Sequence, residues 1–345
     1  MTGSMAMATA LPLASTAITL GIEEEVFITQ PTRPTLNSLY YLSKLLAKDP
    51  KRYYFRSASN FSRGKDAKEC LMSGVEISTD AHASIDEVLS DLSARRRDLA
   101  WAVDDAYIVP VGMLFDIAGS TNTSGLHIHI GAPVRERQRI YQNIARFMPL
   151  LILACASSPF LNGRPVGPSA RAACSFAIGA LRDDPLYRFQ DLIVSRRLGT
   201  VELRALDPVW DLARLREVLR IVQAIALWPE TMPLDLEQYA ALREDACTIG
   251  LTPRLRSVLD ELRRITPAPD WLFERTIADE LTEFHAQQGL EKTYSALDRA
   301  YRTGVFEPGA PLKSHGSAVK GAAGLVGYYL VRLPFTVYKA WREWR

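Results

Sequence analysis

The stretch Gly21-Ile22-Glu23-Glu24-Glu25-Val26-Phe27-Ile28 sets three adjacent acids inside a run of β-forming residues that extends from Ala17 to Thr29. Read as a strand, it points residues i and i+2 to the same side. Glu23 and Glu25 therefore share a face and Glu24 takes the other. An ionised carboxylate among apolar neighbours must be paired, or its pKa rises. Two readings follow: a working face where Glu23 and Glu25 meet a cation, or an edge strand whose charge blocks sheet-to-sheet pairing. Three further segments follow the same pattern, Val75-Glu76-Ile77-Ser78, His127-Ile128-His129-Ile130-Gly131 and Val201-Glu202-Leu203-Arg204. His127 with His129, and Glu202 with Arg204, each project together. Carboxylates converging on one sheet face call for divalent metal, and Arg204 for an anion beside it.

The chain has 345 residues and is 48% hydrophobic, enough for one large domain or two ordinary ones. With 41 basic and 39 acidic residues its net charge is +2, which gives no electrostatic reason to expect nucleic acid or a membrane as partner. Cys70, Cys155, Cys174 and Cys247 form no C-x-x-C pair. A disulfide framework is not expected, and a reducing cytoplasm is the default location. Residues 1–16 lack the basic n-region of a secretory signal and read as a flexible leader. The longest apolar run, Met148 to Ala156, is too short to span a bilayer.

Periodicity and breakers predict further strands over Leu71–Thr79, Tyr107–Ile117 and Leu126–Ile130, and a hairpin within Ile193–Leu206. Helices are predicted over Leu36–Leu46, from the Ser84/Glu87 capping box to about Ala106, and over Arg135–Ser157 with Pro149 inside. Asp211–Trp228, Asp235–Ala246, Pro253–Ile265 and Trp271–Gln288 complete the set. Tyr53–Lys65 reads as a hairpin or mobile loop, and Gly119–Gly125 and Pro159–Gly167 as loops. No glycine-rich loop follows the first strand, and three glutamates there would repel a phosphate unless metal intervened, so neither a dinucleotide fold nor a P-loop is expected. The expectation is an α+β fold, an antiparallel sheet with a polar working face and helices packed on the other side.

Each motif has a plainer reading. Glu69 lies seven residues before Glu76, an odd spacing that requires a bulge or turn near Gly74 to bring both to one face; otherwise it is a surface acid beside Lys68. His127 and His129 suit zinc, but the surrounding candidates are carboxylates, which favour Mg²⁺ or Mn²⁺. Glu202 and Arg204 are a metal ligand and phosphate clamp, or a plain ion pair on one sheet face worth ~0.2–1 kcal/mol. Arg171 either receives a substrate carboxylate or is an ordinary surface arginine.

Five blocks together resemble the type 2 glutamate–cysteine ligases, the carboxylate–amine ligase family that is similar to γ-glutamylcysteine synthetases. They are Gly21-Ile-Glu-Glu-Glu25; Val75-Glu-Ile-Ser-Thr79 followed by a helix carrying Arg95-Arg-Arg97; Ser124-Gly-Leu-His-Ile-His-Ile-Gly131; Ser157-Ser-Pro-Phe160 with Gly163-Arg164; and Thr200-Val-Glu-Leu-Arg-Ala-Leu-Asp207. They occur in the family's order. The resemblance implies a glutamine-synthetase/guanido-kinase-like fold in which the sheet forms a funnel. It implies an ATP- and magnesium-dependent ligase that makes an amide through an acyl phosphate, with glutamate and cysteine as default substrates. By resemblance, Glu23, Glu25, Glu69, Glu76, His127 and Glu202 fall on metal positions. Arg204 and Glu25 are the implied catalytic residues, Arg204 and His127 contact nucleotide, and Arg171, Arg164 and His129 hold substrate. The polar loops Tyr53–Lys65 and Gly119–Gly125 are expected to cover the site, because an acyl phosphate survives only where water is excluded.

The chain departs from the family where Gly163-Arg-Pro-Val-Gly-Pro168 replaces G-R-D-T-G-Y, and where Tyr187-Arg-Phe-Gln-Asp191 stands in the region of the family's W-D-x-R-P segment. Both lie where acid and amine would be chosen, so another amino-acid pair, in a specialised biosynthetic pathway, stands next after glutamate and cysteine. The expected organisation is the leader 1–16, a catalytic domain over 17–305 and a C-terminal extension over 306–345, acting as monomer or homodimer. A zinc hydrolase built on His127 and His129 and a non-catalytic nucleotide-binding relative are the alternatives.

Overall fold

The structure is a computed structural model that describes residues 18–35, 37–55, 58–59, 74–117, 122–175, 177–178, 190–195, 198–310 and 312, with helical positions scattered between 319 and 341. The leader 1–16, Glu69, most of the Tyr53–Lys65 loop, residues 118–121 and residues 187–189 lie outside the described residues. In chain order the elements are β1 (Thr19–Thr29), α1 (Ser38–Lys48), α2 (Pro50–Phe55), β2 (Ala58–Ser59), β3 (Gly74–Ser78), α3 (Ile85–Ala102), β4 (Tyr107–Val109), β5 (Leu126–Gly131), α4 (Val134–Cys155), β6 (Phe160–Leu161), β7 (Arg164–Pro165), α5 (Ala170–Ala173), β8 (Leu192–Val194), β9 (Val201–Leu206), α6 (Leu212–Leu227), α7 (Leu236–Thr248), α8 (Pro253–Leu262), α9 (Trp271–Glu274), α10 (Ile277–Gln288) and α11 (Leu290–Thr303).

The strands form an antiparallel sheet in the order β2-β3-β1-β5-β9-β8, with β4 pairing the far end of β1. Helices α1 and α3 pack against its β3 end, α4 runs along β8 and β9, and α6 crosses both α3 and α4. The α+β architecture expected from the sequence is therefore present. Among the described residues, no helix is long and apolar enough to cross a membrane.

β1 is the centre, and its burial alternates from Thr19 to Glu25. Leu20, Ile22, Glu24 and Val26 enter the core, while Glu23 and Glu25 stay half-buried on the opposite face. Glu24 is fully buried. It is tolerated because its carboxylate is completely satisfied. Arg96 of α3 donates Nε–H to Oε2 at 3.0 Å and a second N–H to Oε1, and the Tyr301 hydroxyl of α11 donates to Oε2 at 2.9 Å. The Arg96 guanidinium also donates to Val209 O at 2.6 Å and Trp210 O at 2.9 Å, and it lies 5.0 Å over the Tyr301 ring. Burial would lower the Arg96 pKa, but the Glu24 charge outweighs it and raises it. One buried acid thus pins α3, α11 and the segment that follows β9 to the central strand.

Several sequence expectations need correction. Tyr107–Ile117 is strand only through Val109, because Pro110 has no N–H for the ladder and the chain beyond it is held by the Asn122 side chain, which bonds the backbone of Leu114 and Ile117. Pro159–Gly167 is not all loop: β6 and β7 pair around Asn162 and Gly163, whose φ values of 50° and 74° make the two-residue turn that hairpins favour. Trp271–Gln288 is two helices, since Thr276 caps α10 in a reciprocal box with Asp279. α11 is absent from the sequence reading. Its stripe of Tyr294, Leu297, Ala300 and Tyr301 is buried, and Arg302 fastens it to the carbonyls of Ala100, Val103 and Ala106.

Arg96→Ala leaves Glu24 buried without its cation and is expected to cost about 3–5 kcal/mol in urea unfolding. The double variant Arg96→Met with Glu24→Gln is expected to lose less than Arg96→Ala alone.

Candidate active site

The sheet register assembles the site. Residues directly opposite in an antiparallel pair share a face. Glu23 of β1 stands opposite His127 of β5, His129 of β5 opposite Glu202 of β9, and Glu25 of β1 opposite Glu76 of β3. Five carboxylate or imidazole positions on three neighbouring strands, with Glu76 on a fourth, thus project from the face opposite the buried apolar residues of the same strands.

Glu23, His129 and Glu202 come closest, each offering a ligand atom within 4.8 Å of the others. Glu23 Oε1 is 3.5 Å from His129 Nε2, and Oε2 is 3.4 Å from His127 Nδ1. Glu202 Oε2 is 3.9 Å from His129 Nδ1, and the other oxygen of Glu202 takes a hydrogen bond from Arg204. Glu25 and Glu76 continue the face toward β3. Two carboxylates directly opposite each other repel unless a cation lies near.

A bulge in β9 places Arg204. Leu203 stands opposite Ile128 and Leu206 opposite Leu126, so two residues of β9, Arg204 and Ala205, face the single position of His127. Arg204 keeps the phase of Glu202 and turns to the site, and the surplus residue returns Leu206 to the core. Arg171, which follows the short helix start at Ser169, braces this bulge. Its guanidinium donates to Thr123 Oγ1 at 3.2 Å, Leu206 O at 3.1 Å and Arg204 O at 2.8 Å, which commits three of its five N–H groups. Gly125 makes room for it, since a Cβ there would stand 2.2 Å from Arg171 Nη2 and 3.2 Å from His127 Nε2. Asp207 closes the strand end. Buried, it accepts from Ser157 N–H at 2.9 Å, Ser158 Oγ at 2.6 Å and Ser169 Oγ at 3.2 Å. Burial pushes its carboxyl up, against the opposing charge of Arg171.

The electrostatics suit metal binding. Burial would raise Glu23, but the neighbouring imidazoles of His127 and His129 hold it well below the usual carboxylate range. Burial would likewise raise Glu202, and Arg204 foremost keeps it lowered. Burial and the Arg204 charge hold His127 below its ordinary value, toward the neutral form that ligates metals. His129 Nε2 is buried without a hydrogen-bond partner among the described residues, an orphaned donor atom aimed at Glu23. The donor set is rich in oxygen, which fits Mg²⁺ or Mn²⁺ better than zinc.

Of the residues singled out by sequence, Glu23, Glu25, Glu76, His127, His129, Glu202 and Arg204 share this face. Arg171 lies behind the bulge. Arg164 sits exposed on β7, beyond the turn whose Gly163 N–H bonds Phe115 O at 2.7 Å. Glu69 lies outside the described residues. The sequence reading gave Thr200 no role of its own, although its even spacing from Glu202 was visible; its hydroxyl lies 2.9 Å from His129 Nδ1. Glu202→Gln is expected to weaken Mn²⁺ binding at least about tenfold, measured by electron paramagnetic resonance of free Mn²⁺.

No protein-family model matches the chain. A protein of Chloroflexus aurantiacus named "Putative glutamate--cysteine ligase 2" is 30% identical over 173 residues, covering 45% of this chain and 43% of the relative. The chain thus spans less than half the length of that relative. A protein of Saccharopolyspora erythraea named "Putative glutamate--cysteine ligase 2-1" is 25% identical over 358 residues, covering 88% of both chains. In fold, the chain is similar to the glutamate–cysteine ligase of Francisella tularensis solved in complex with AMP, with TM-score 0.59, 13% identity, and 93% and 94% of the two chains covered. It is also similar to a bifunctional glutathione synthetase from Pasteurella multocida, with TM-score 0.54, 12% identity, and 84% of this chain and 52% of the other covered. The resemblance carried by the five sequence blocks is borne out by these likenesses.

Proposed function

We propose that this chain is a carboxylate–amine ligase that spends ATP, with Mg²⁺ or Mn²⁺, to join an amino-acid carboxylate to an amine. The observation that carries the reading is the cluster of Glu23, His129 and Glu202 with Arg204 at its side. The names of the sequence relatives and the AMP held by the Francisella enzyme support it.

In this reading a substrate carboxylate oxygen attacks the γ-phosphorus of ATP and ADP leaves. The amine then attacks the carbonyl carbon of the acyl phosphate, inorganic phosphate leaves, and the amine gives up a proton. Glu23, His129 and Glu202 are the nearest holders of divalent metal, with Glu25, Glu76, His127 and Glu69 as further ligands. Bound there, a divalent ion would supply positive charge to offset the phosphate oxygens. Arg204 adds a fixed guanidinium at that point, oriented by Glu202 and by the bulge, and His127 lies beside it toward the nucleotide. Glu25 is assigned a catalytic as well as a metal role. Arg171 stands under the same face as the receiver of the acid substrate, with Arg164 and His129 as further substrate contacts.

The finer fold expectation, a funnel of the glutamine-synthetase/guanido-kinase kind, belongs to this proposal, as do the catalytic domain over 17–305, a cytoplasmic location and a monomeric or homodimeric state. Glutamate and cysteine are the default pair. The departures at Gly163–Pro168 and Tyr187–Asp191 leave another amino-acid pair open.

ADP release across a panel of amino-acid acids and amines tests the reading. The expected result is ADP formed in full only when a matching acid and amine are both present. Stoichiometric zinc in the purified protein together with no nucleotide binding would overturn it in favour of a hydrolase. Nucleotide binding without turnover on any pair would mark a regulatory relative. Arg204→Lys is expected to lower kcat about 10²-fold or more through loss of the planar fork.

A further inference from the structure

His129 is the one member of the tightest cluster whose chemistry depends on which ring nitrogen carries the proton. Its Nδ1 lies 2.9 Å from Thr200 Oγ1 and 3.9 Å from the nearer oxygen of Glu202, so the hydroxyl is its hydrogen-bond partner and the carboxylate is not. Its Nε2 is buried, has no hydrogen-bond partner among the described residues, and stands 3.5 Å from Glu23 Oε1. Thr200 is itself held in place, its carbonyl accepting from Ser195 N–H at 2.8 Å where β8 turns into β9.

A neutral imidazole has one N–H and one lone pair. Were the Thr200 hydroxyl to donate to Nδ1, the proton would sit on Nε2 and its N–H would occupy the space beside Glu23 Oε1, 3.5 Å away, with no lone pair left for a cation. Were Thr200 to accept from Nδ1–H, the Nε2 lone pair would face the space shared with Glu23, where a cation belongs. Only the second arrangement leaves His129 able to ligate a metal beside Glu23 through Nε2 while Nδ1–H stays hydrogen-bonded.

We propose that Thr200 is a positioning residue: its hydroxyl accepts from His129 Nδ1–H and so fixes the tautomer in which Nε2 is a metal ligand. This deepens the divalent-metal reading above and rests on it. It also gives the first residue of the Thr200–Asp207 block a task. Thr200 touches no reacting atom in this scheme and acts only through His129.

Three proteins test it: the unaltered chain, Thr200→Val, which keeps the shape and removes the hydroxyl, and Thr200→Ser, which keeps the hydroxyl. The first readout is the His129 tautomer by ¹⁵N-detected imidazole correlation in metal-free protein. The second is Mn²⁺ affinity by electron paramagnetic resonance, with neither nucleotide nor substrate present. The expected result is the Nδ1–H tautomer in the unaltered chain and in Thr200→Ser. Thr200→Val is expected to lose that preference and bind Mn²⁺ about 10–100-fold more weakly, with affinity restored in Thr200→Ser. An Nε2–H tautomer in the unaltered chain would overturn the proposal, and this single measurement decides it should Thr200→Val fail to fold. Unchanged Mn²⁺ affinity in Thr200→Val would overturn it as well. Absence of any Mn²⁺ binding by the unaltered chain would instead sink the metal reading, while the tautomer would still report separately on Thr200.

Discussion

The phase of β1 is the constraint on which the site and the core both depend. Glu23 and Glu25 fall on one side of the strand and Glu24 on the other, and the two sides solve the problem of a carboxylate in opposite ways. Glu24 enters the core already paired with Arg96 and Tyr301, and so spends its charge on holding helices to the sheet. Glu23 faces the imidazoles of His127 and His129 on the polar side, at 3.4 and 3.5 Å. A slip of one residue in register would exchange these environments. The buried clamp therefore stabilises the site indirectly, by making the wrong register expensive.

Around that strand the polar face combines a carboxylate pair with imidazole–carboxylate pairs. Glu25 stands opposite Glu76, and His129 opposite Glu202 and close to Glu23. What keeps them together is the core on the reverse side, where Ile22, Val26, Val75, Ile77, Ile128, Ile130, Val201 and Leu203 are all buried. Core packing fixes the backbone, and the backbone holds Glu25 and Glu76 opposite each other beside the histidines. Such a face is preorganised for cations, since its ligands need not move far to bind them.

Much of this was legible in the sequence. The i, i+2 rule placed Glu23 with Glu25, His127 with His129 and Glu202 with Arg204, and put Glu24 aside as structural, because strand alternation is a local property. The capping box at Ser84 and Glu87 started α3 for the same reason. Long-range partners were not legible. Nothing near Glu24 in sequence announces Arg96 or Tyr301, and α11 escaped notice because its apolar stripe is short and acquires meaning only against β4 and α3. Pro110 and Thr276 shortened or split elements whose hydrophobic pattern ran on unbroken. Arg171 could be placed near the site but not oriented, since the carbonyls it binds exist as a group only once β9 is bulged.

The bulge at Arg204 and Ala205 has a bearing on comparison between relatives. It joins two half-strands of opposite parity, so position counting that holds from Val201 to Arg204 is off by one from Leu206 onward. A relative with a regular strand here would align with a one-residue gap that looks like noise and is in fact geometry. Transferring residue roles across that gap by sequence alone would assign core positions to the polar face.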